Sequence, residues 1–191
     1  SEYRSSFDFG WFEYRETVDG PVVNRIDASQ SGGNGSQLGS SVGNLTFDLI
    51  GPDWPTDDSQ WVYYEDAAEP ENPTGVYALD MSKGSYINLD GVFRIAKGTF
   101  GRIDLDITFD GNTSGLLGDT TSEGRAILHA DKLVITAVYG EQFTFTFTEP
   151  LQVGVRNVLT IDVAANTLSV LIDGNSQGSV PFSLDMWFNT L

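Results

Sequence analysis

The sequence predicts an all-β chain: a two-layer antiparallel β-sandwich preceded by an N-terminal β/loop extension. Three observations carry this. Apolar and polar residues alternate with period two in run after run, as half-buried strands require. Gly, Asn and Asp punctuate those runs at short intervals and supply tight turns. No stretch of about eleven residues sustains the i, i+3, i+4, i+7 spacing of an amphipathic helix. With 40% hydrophobic residues, including twelve Phe, seven Tyr and four Trp, a chain of 191 residues has material for a sandwich core.

Residues 1–75 form the extension, which could itself complete the sandwich. Phe7 to Val18 is aromatic-rich and reads as one or two strands. Ser31-Gly32-Gly33-Asn34-Gly35-Ser36 and Gly39-Ser40-Ser41 read as a flexible polar stretch. Asn44 to Ile50 alternates as a strand. Residues 51–75 combine four Pro with a concentration of acids, and read as an irregular loop or a surface arm.

Residues 76–191 form the sandwich proper. Val76–Asp80, Ser85–Leu89 and Gly101–Phe109 read as strands; in the last, Ile103, Leu105, Ile107 and Phe109 share one face. Ala126–Ala130 and Lys132–Val138 add two more. Gln142–Thr148 places Phe143, Phe145 and Phe147 on a core face and Thr on the other, and Pro150 follows its end. A meander closes the series: Asn157–Val163, a turn at Ala164-Ala165-Asn166, Thr167–Ile172, a turn at Asp173-Gly174-Asn175, and a short strand around Ser179–Phe182. Asn and Asp-Gly tolerate the positive φ that such turns need.

The stretch from Tyr77 to Leu191 resembles the laminin-G/concanavalin superfamily of jelly-roll sandwiches. The likeness rests on Tyr77-Ala78-Leu79-Asp80 followed by Gly84-Ser85-Tyr86-Ile87, on Thr99 to Leu105, and above all on the hairpin Thr160-Ile161-Asp162 to Asn166 through Gly174. Trp187 to Leu191 sits where such domains enter a closing strand, so an N-terminal strand, or further chain, is expected to complete the sheet. The resemblance implies a fold and leaves function open.

Charge narrows the function classes. Twenty-seven acidic and ten basic side chains give a net charge of −17, of which −11 lies in residues 1–75. Such a surface repels phosphate, so nucleic acid and anionic lipid are not expected partners. No apolar run approaches the ~20 residues that span a bilayer. The chain has no Cys, which leaves the redox compartment open. Its first residues lack the pattern of a signal peptide, which fits a protein made in the cytoplasm, as virion components are, or one whose leader has been removed.

Few residues suggest chemistry. Several glycanases of the resembled fold carry two acids alternating on one strand, and Asp104, Asp106 and Asp110 invite the comparison. The family pattern uses Glu at both catalytic positions, and neither is Glu here. A solvated acidic strand face is therefore expected, with no catalytic residues. His129, the single histidine, lies in an apolar run without a nucleophile motif and reads as structural. No cofactor is expected. Calcium is the one candidate ion: Asp53, Asp57 and Asp58 form the densest carboxylate cluster, and Asp110-Gly111-Asn112 is a second site for hard oxygen ligands. Trp54, Trp61, Tyr63 and Tyr64 are candidate contacts for a glycan or a protein partner, because aromatic faces stack on sugar C–H surfaces. Together these features favour a non-enzymatic structural or attachment protein. The setting would be a virion surface, as a capsid-decorating or tail module, with neighbouring subunits or surface glycan as partners in an oligomer or larger assembly. The alternative is a secreted carbohydrate-binding or adhesin domain, and a divergent glycanase is the weaker third.

Overall fold

The computed structural model describes residues 7–17, 19–28, 37–42, 46–50, 61–65, 75–81, 86–118 and 124–191. Sixteen strands run through them: β1 (Phe7–Arg15), β2 (Asn24–Asp27), β3 (Gln37–Val42), β4 (Thr46–Ile50), β5 (Trp61–Glu65), β6 (Gly75–Asp80), β7 (Tyr86–Ile95), β8 (Gly101–Phe109), β9 (Ser114–Gly118), β10 (Arg125–Leu128), β11 (Lys132–Thr136), β12 (Gln142–Thr146), β13 (Arg156–Ala164), β14 (Thr167–Ile172), β15 (Asn175–Pro181) and β16 (Met186–Thr190). The described residues contain no α-helix.

All the pairings are antiparallel, and the strands make two sheets with a shared core, compatible with a β-sandwich. The first sheet carries β2-β1-β8-β13-β14-β15, with the β5–β6 hairpin attached to β1 at Asp8 and Phe9. The second carries β7-β16-β9-β10-β11-β12, and β3 and β4 link the two. The far edges approach each other as well. Phe143 of β12 meets Phe182 edge-on at 5.4 Å between ring centroids, and Gln177 accepts a hydrogen bond from the Thr148 amide at 2.8 Å. A bulge in β15, where the register shifts opposite Val170 and Leu171, accompanies this contact.

The core is what the alternation demanded. Ile103, Leu105, Ile107 and Phe109 of β8 are buried on one face, as are Phe7, Phe9, Phe12 and Tyr14 of β1 beside it. An unbroken two-residue period could not put both Phe9 and Phe12 inward. Gly10 supplies the extra residue: the β1–β8 register slips between Phe9 and Trp11, and the aromatic row continues on the same side. From β13 come Leu159, Ile161 and Val163, and from β14 Leu168 and Val170, all buried. The meander turns take the backbone expected of them, with positive φ at Ala165, Asn166, Asp173 and Gly174.

Several expectations need correction. The polar stretch around Gly39-Ser40-Ser41 contributes β3, and the acidic Pro-rich segment contains β5. β5 is held by its ladder to β6, from Trp61 opposite Leu79 to Glu65 opposite Gly75. Phe143 is only half-buried, whereas Phe145 and Phe147 are in the core. The terminal segment is itself a strand: β16 pairs with β7 over Met186–Phe188 and with β9 at Thr190, inside the second sheet.

Candidate functional site

The face of the first sheet opposite its apolar core carries a cluster of charged side chains, and most of its acids are buried. Strand alternation on β8 puts Arg102, Asp104, Asp106 and Thr108 opposite its apolar row. Register then brings Glu13 of β1 and Thr160 of β13 to either side of Asp104, Trp11 and Val158 to either side of Asp106, and Arg15 and Asp162 to either side of Arg102. One strand further out, Arg25 lies opposite Glu13 and Asp27 opposite Trp11.

This face is not the solvated acidic surface expected from sequence. Asp104 and Asp106 are 4% and 1% exposed. Asp104 accepts hydrogen bonds from Arg102 Nε at 2.9 Å, Arg102 Nη2 at 3.0 Å and the Thr160 hydroxyl at 2.5 Å. Asp106 accepts from Arg156 through Nε, at 2.7 and 2.8 Å, and through Nη2. Arg25 spans two acids, donating to Glu13 Oε1 and, through Nε and Nη2, to Asp27 Oδ2. Its guanidinium also lies 4.8 Å above the Trp11 ring. Arg15 reaches Glu13 at 3.1 Å and the Gly20 carbonyl at 2.7 Å. The physical reason is stoichiometric. Four arginines meet four buried carboxylates on one face, so each acid can leave water because a guanidinium replaces it.

Titration follows the same geometry. The hydrogen bonds they donate to Asp104 and Asp106 hold the Arg102 and Arg156 guanidiniums above their ordinary range, against the opposing effect of burial. Asp162 stands at the margin of the network. Burial pushes its carboxyl up; Arg102 pulls it back, while nearby Asp104 adds to the rise.

Catalysis by Asp104 and Asp106 would need one acid free to protonate a leaving group and one free to attack. Both carboxylates instead spend their acceptor sites on arginine and threonine. Asp110 is exposed at the end of β8 and accepts from the Asn112 amide at 2.9 Å, a local turn closed by its own side chain. His129 is partly buried, with Nδ1 3.1 Å from the Thr113 hydroxyl.

Of the other predicted residues, Asp53, Trp54, Asp57 and Asp58 lie outside the described residues. Trp61, Tyr63 and Tyr64 are placed on β5, opposite Leu79, Tyr77 and Val76, and their side chains lie outside the description. Among the described residues no three His, Asp or Glu side chains converge as a metal site.

A second feature lies at one end of the sandwich, where four connections gather: residues 96–100, 137–141, 165–166 and 182–185. The backbone ties them together. Val138 N donates to Asp185 O at 3.3 Å, Lys97 N to the Asp185 carboxylate at 2.8 Å, and Phe182 N to Asn166 O at 2.7 Å. Between the last three of them is a shallow pocket of about 180 Å³ lined by Glu141, Phe143, Asn166, Pro181, Phe182, Ser183 and Leu184. Tyr139 stands on the neighbouring turn, 88% exposed, with φ at +76°.

Sequence reasoning missed both features, although the ion-pair face left a trace. Glu13/Arg15, Arg25/Asp27 and Arg102/Asp104 are opposite charges two residues apart, which a strand places on one side. The Arg156–Asp106 pair is fifty residues apart and needs the strand register. Comparison with family models, with curated proteins and with solved structures finds no match for this chain.

Proposed function

We propose that this chain is a non-enzymatic structural or attachment module on a sandwich of the laminin-G/concanavalin kind, suited to a virion surface. One observation carries the reading. The acids that a glycanase of this build would use, Asp104 and Asp106, are each locked by a guanidinium and buried. The sandwich type is supported by the antiparallel meander β13–β14–β15, whose Thr160 to Gly174 hairpin carries the resemblance. The strongly acidic composition supports a partner that is neither nucleic acid nor anionic lipid.

The test joins two measurements on the full chain. Light scattering across a concentration series is expected to report self-association or assembly, and incubation with a panel of β- and α-linked glycans is expected to release no product. Hydrolysis that is abolished by Asp106→Asn, with the fold retained, would overturn the reading. A strict monomer that attaches to no cell-surface or virion preparation would overturn it too.

A further inference from the structure

We infer that the β1–β2 hairpin is an exchangeable element, which seats on β8 of a second copy of this chain in the same way as it seats on its own. This names the partner in the assembly reading, on which it rests, as another copy of the chain.

The hairpin is placed for exchange. β1 comes from the N-terminal end of the sequence yet lies inside the first sheet, paired with β8 from Phe7 opposite Phe109 to Arg15 opposite Arg102. Phe7, Phe9, Phe12 and Tyr14 of β1 and Ile26 of β2 are buried in the shared core. The ladders to the strands that follow in the chain are short by comparison: β2 meets β3 at Arg25 and Ile26, and β1 meets β6 at Asp8 and Phe9. Residues 29–36, which join Ala28 to Gln37, are Ser, Gln, Gly and Asn throughout, with neither a charge nor an apolar side chain. Such a connection can reach up to about 28 Å.

The ion pairs divide along the same seam. On the hairpin, Glu13 pairs with Arg15 and Arg25, and Asp27 pairs with Arg25. On the other side, Asp104 pairs with Arg102 and Asp106 with Arg156. Each of these pairs closes within its own unit, two arginines against two acids. The pair that crosses, Arg15 Nε to Asp104 Oδ2, is longer at 3.9 Å. Asp27 also attracts Arg156 at longer range. Separation therefore leaves the short pairs intact on both sides, and stranding a buried charge is the strongly destabilising event that this division avoids.

The seat is selective for this strand. Gly10 leaves the space that the Asp106 carboxylate fills, and a β-carbon there would overlap Asp106 Oδ2. A strand entering beside β8 must carry that glycine at the bulge, with aromatic residues placed as Phe7, Phe9, Phe12 and Tyr14 are. This chain's own β1 meets the requirement, whether it arrives from the same copy or from another. The closed monomer and the exchanged pair bury the same surfaces, so concentration and the tether decide between them.

The chain has no Cys, so introduced thiols report the exchange directly. Asp8 and Thr108 are direct partners across β1 and β8, and opposed residues in an antiparallel ladder lie about 4.5–5.5 Å apart at Cα, within reach of a disulfide. Full-length Asp8→Cys and Thr108→Cys chains are unfolded in urea, refolded together across a concentration series and oxidised. The expected result is a mixed disulfide dimer at least fivefold more abundant than either like-with-like dimer, and increasing with concentration. Both substitutions in one chain, oxidised when dilute, should close within the chain and hold it as a monomer when it is later concentrated. Arg15→Cys with Arg102→Cys, at the other end of the same ladder, replaces this pair if either chain fails to refold. Mixed dimer no more abundant than like-with-like, in a chain that still assembles by light scattering, would overturn the exchange and leave the assembly reading standing. A chain that stays monomeric at every concentration would overturn the exchange too, while attachment of that monomer to a cell-surface or virion preparation would leave the structural reading in place.

Discussion

Gly10 offers the sharpest test of how the ion-pair face is built. It is the bulge residue of β1, and a β-carbon added there would overlap Asp106 Oδ2 and lie 2.7 Å from Asp106 Cγ. Neither group can yield cheaply. Asp106 is 1% exposed and fixed from the other side by Arg156, while β1 is pinned between β8 and β2 by its ladders. Gly10→Ala must therefore push a buried carboxylate off its guanidinium. Overpacking a tight site costs about 1–3 kcal/mol, and a buried group left without its partner about 1–3 more. The sum is about 2–6 kcal/mol, a large share of the stability of an ordinary domain. In an Asp106→Ala background the overlapping carboxylate is gone, and Arg156, with half its side chain already in water, is free to turn outward. The same Gly10→Ala change should then cost under ~1 kcal/mol, because only the Asp106 β-carbon at 3.3 Å remains in its way. Urea unfolding of the four proteins gives the coupling energy directly. Equal costs in the two backgrounds would refute the claim that Gly10 exists to seat Asp106.

Three further outcomes follow from the same face and its margins. Arg25→Met leaves Glu13 and Asp27 buried without their shared cation, and should cost about 1–3 kcal/mol in urea unfolding, discounted because a quarter of the Arg25 side chain is exposed. Asp162 has a folded-state pKa raised above its ordinary 3.8, so the unfolded chain releases that proton first and stability falls as pH rises through the window between the two values. Asp162→Asn should flatten this part of the pH profile of the urea midpoint and be the more stable protein at neutral pH; an unchanged slope would place the titration elsewhere. Tyr14 is raised above 10.0 by burial and by Glu16, so the folded chain keeps its phenol proton where the unfolded chain loses it. Stability should therefore decline as pH rises above 10, and Tyr14→Phe should lessen the decline in alkaline melts followed by circular dichroism.

Residues whose environment is set by alternation alone were legible in the sequence. β8 and β14 have the bounds their patterns predict, and β13 extends one residue beyond its pattern at each end. β2, β3, β5 and β9 were not legible. Asn24–Asp27 and Ser114–Gly118 are short, and Gln37–Val42 is written in Gly and Ser, residues that favour turns in isolation. These three are strands because a neighbour supplies the ladder, and propensity yields to pairing there. The fate of Asp104 shows the same limit in electrostatic form. Alternation correctly put it opposite the core, and an acid there is ordinarily in water. Its burial depends on Thr160, fifty-six residues away, and on the distance between neighbouring strands.

The charge of the chain takes on a different meaning once this face is known. Four of its ten basic residues, Arg15, Arg25, Arg102 and Arg156, are committed to Glu13, Asp27, Asp104 and Asp106. That patch is close to neutral despite its acids, so the net −17 arises elsewhere. Between Arg25 and Lys83 the sequence holds no basic residue, and its acids run from Asp27 through Asp48, Asp53, Asp57 and Asp58 to Glu71 and Asp80. Uncompensated charge of one sign is costly to bring against another negative surface and is screened by salt. A face whose carboxylates are consumed by folding has little left to offer a ligand.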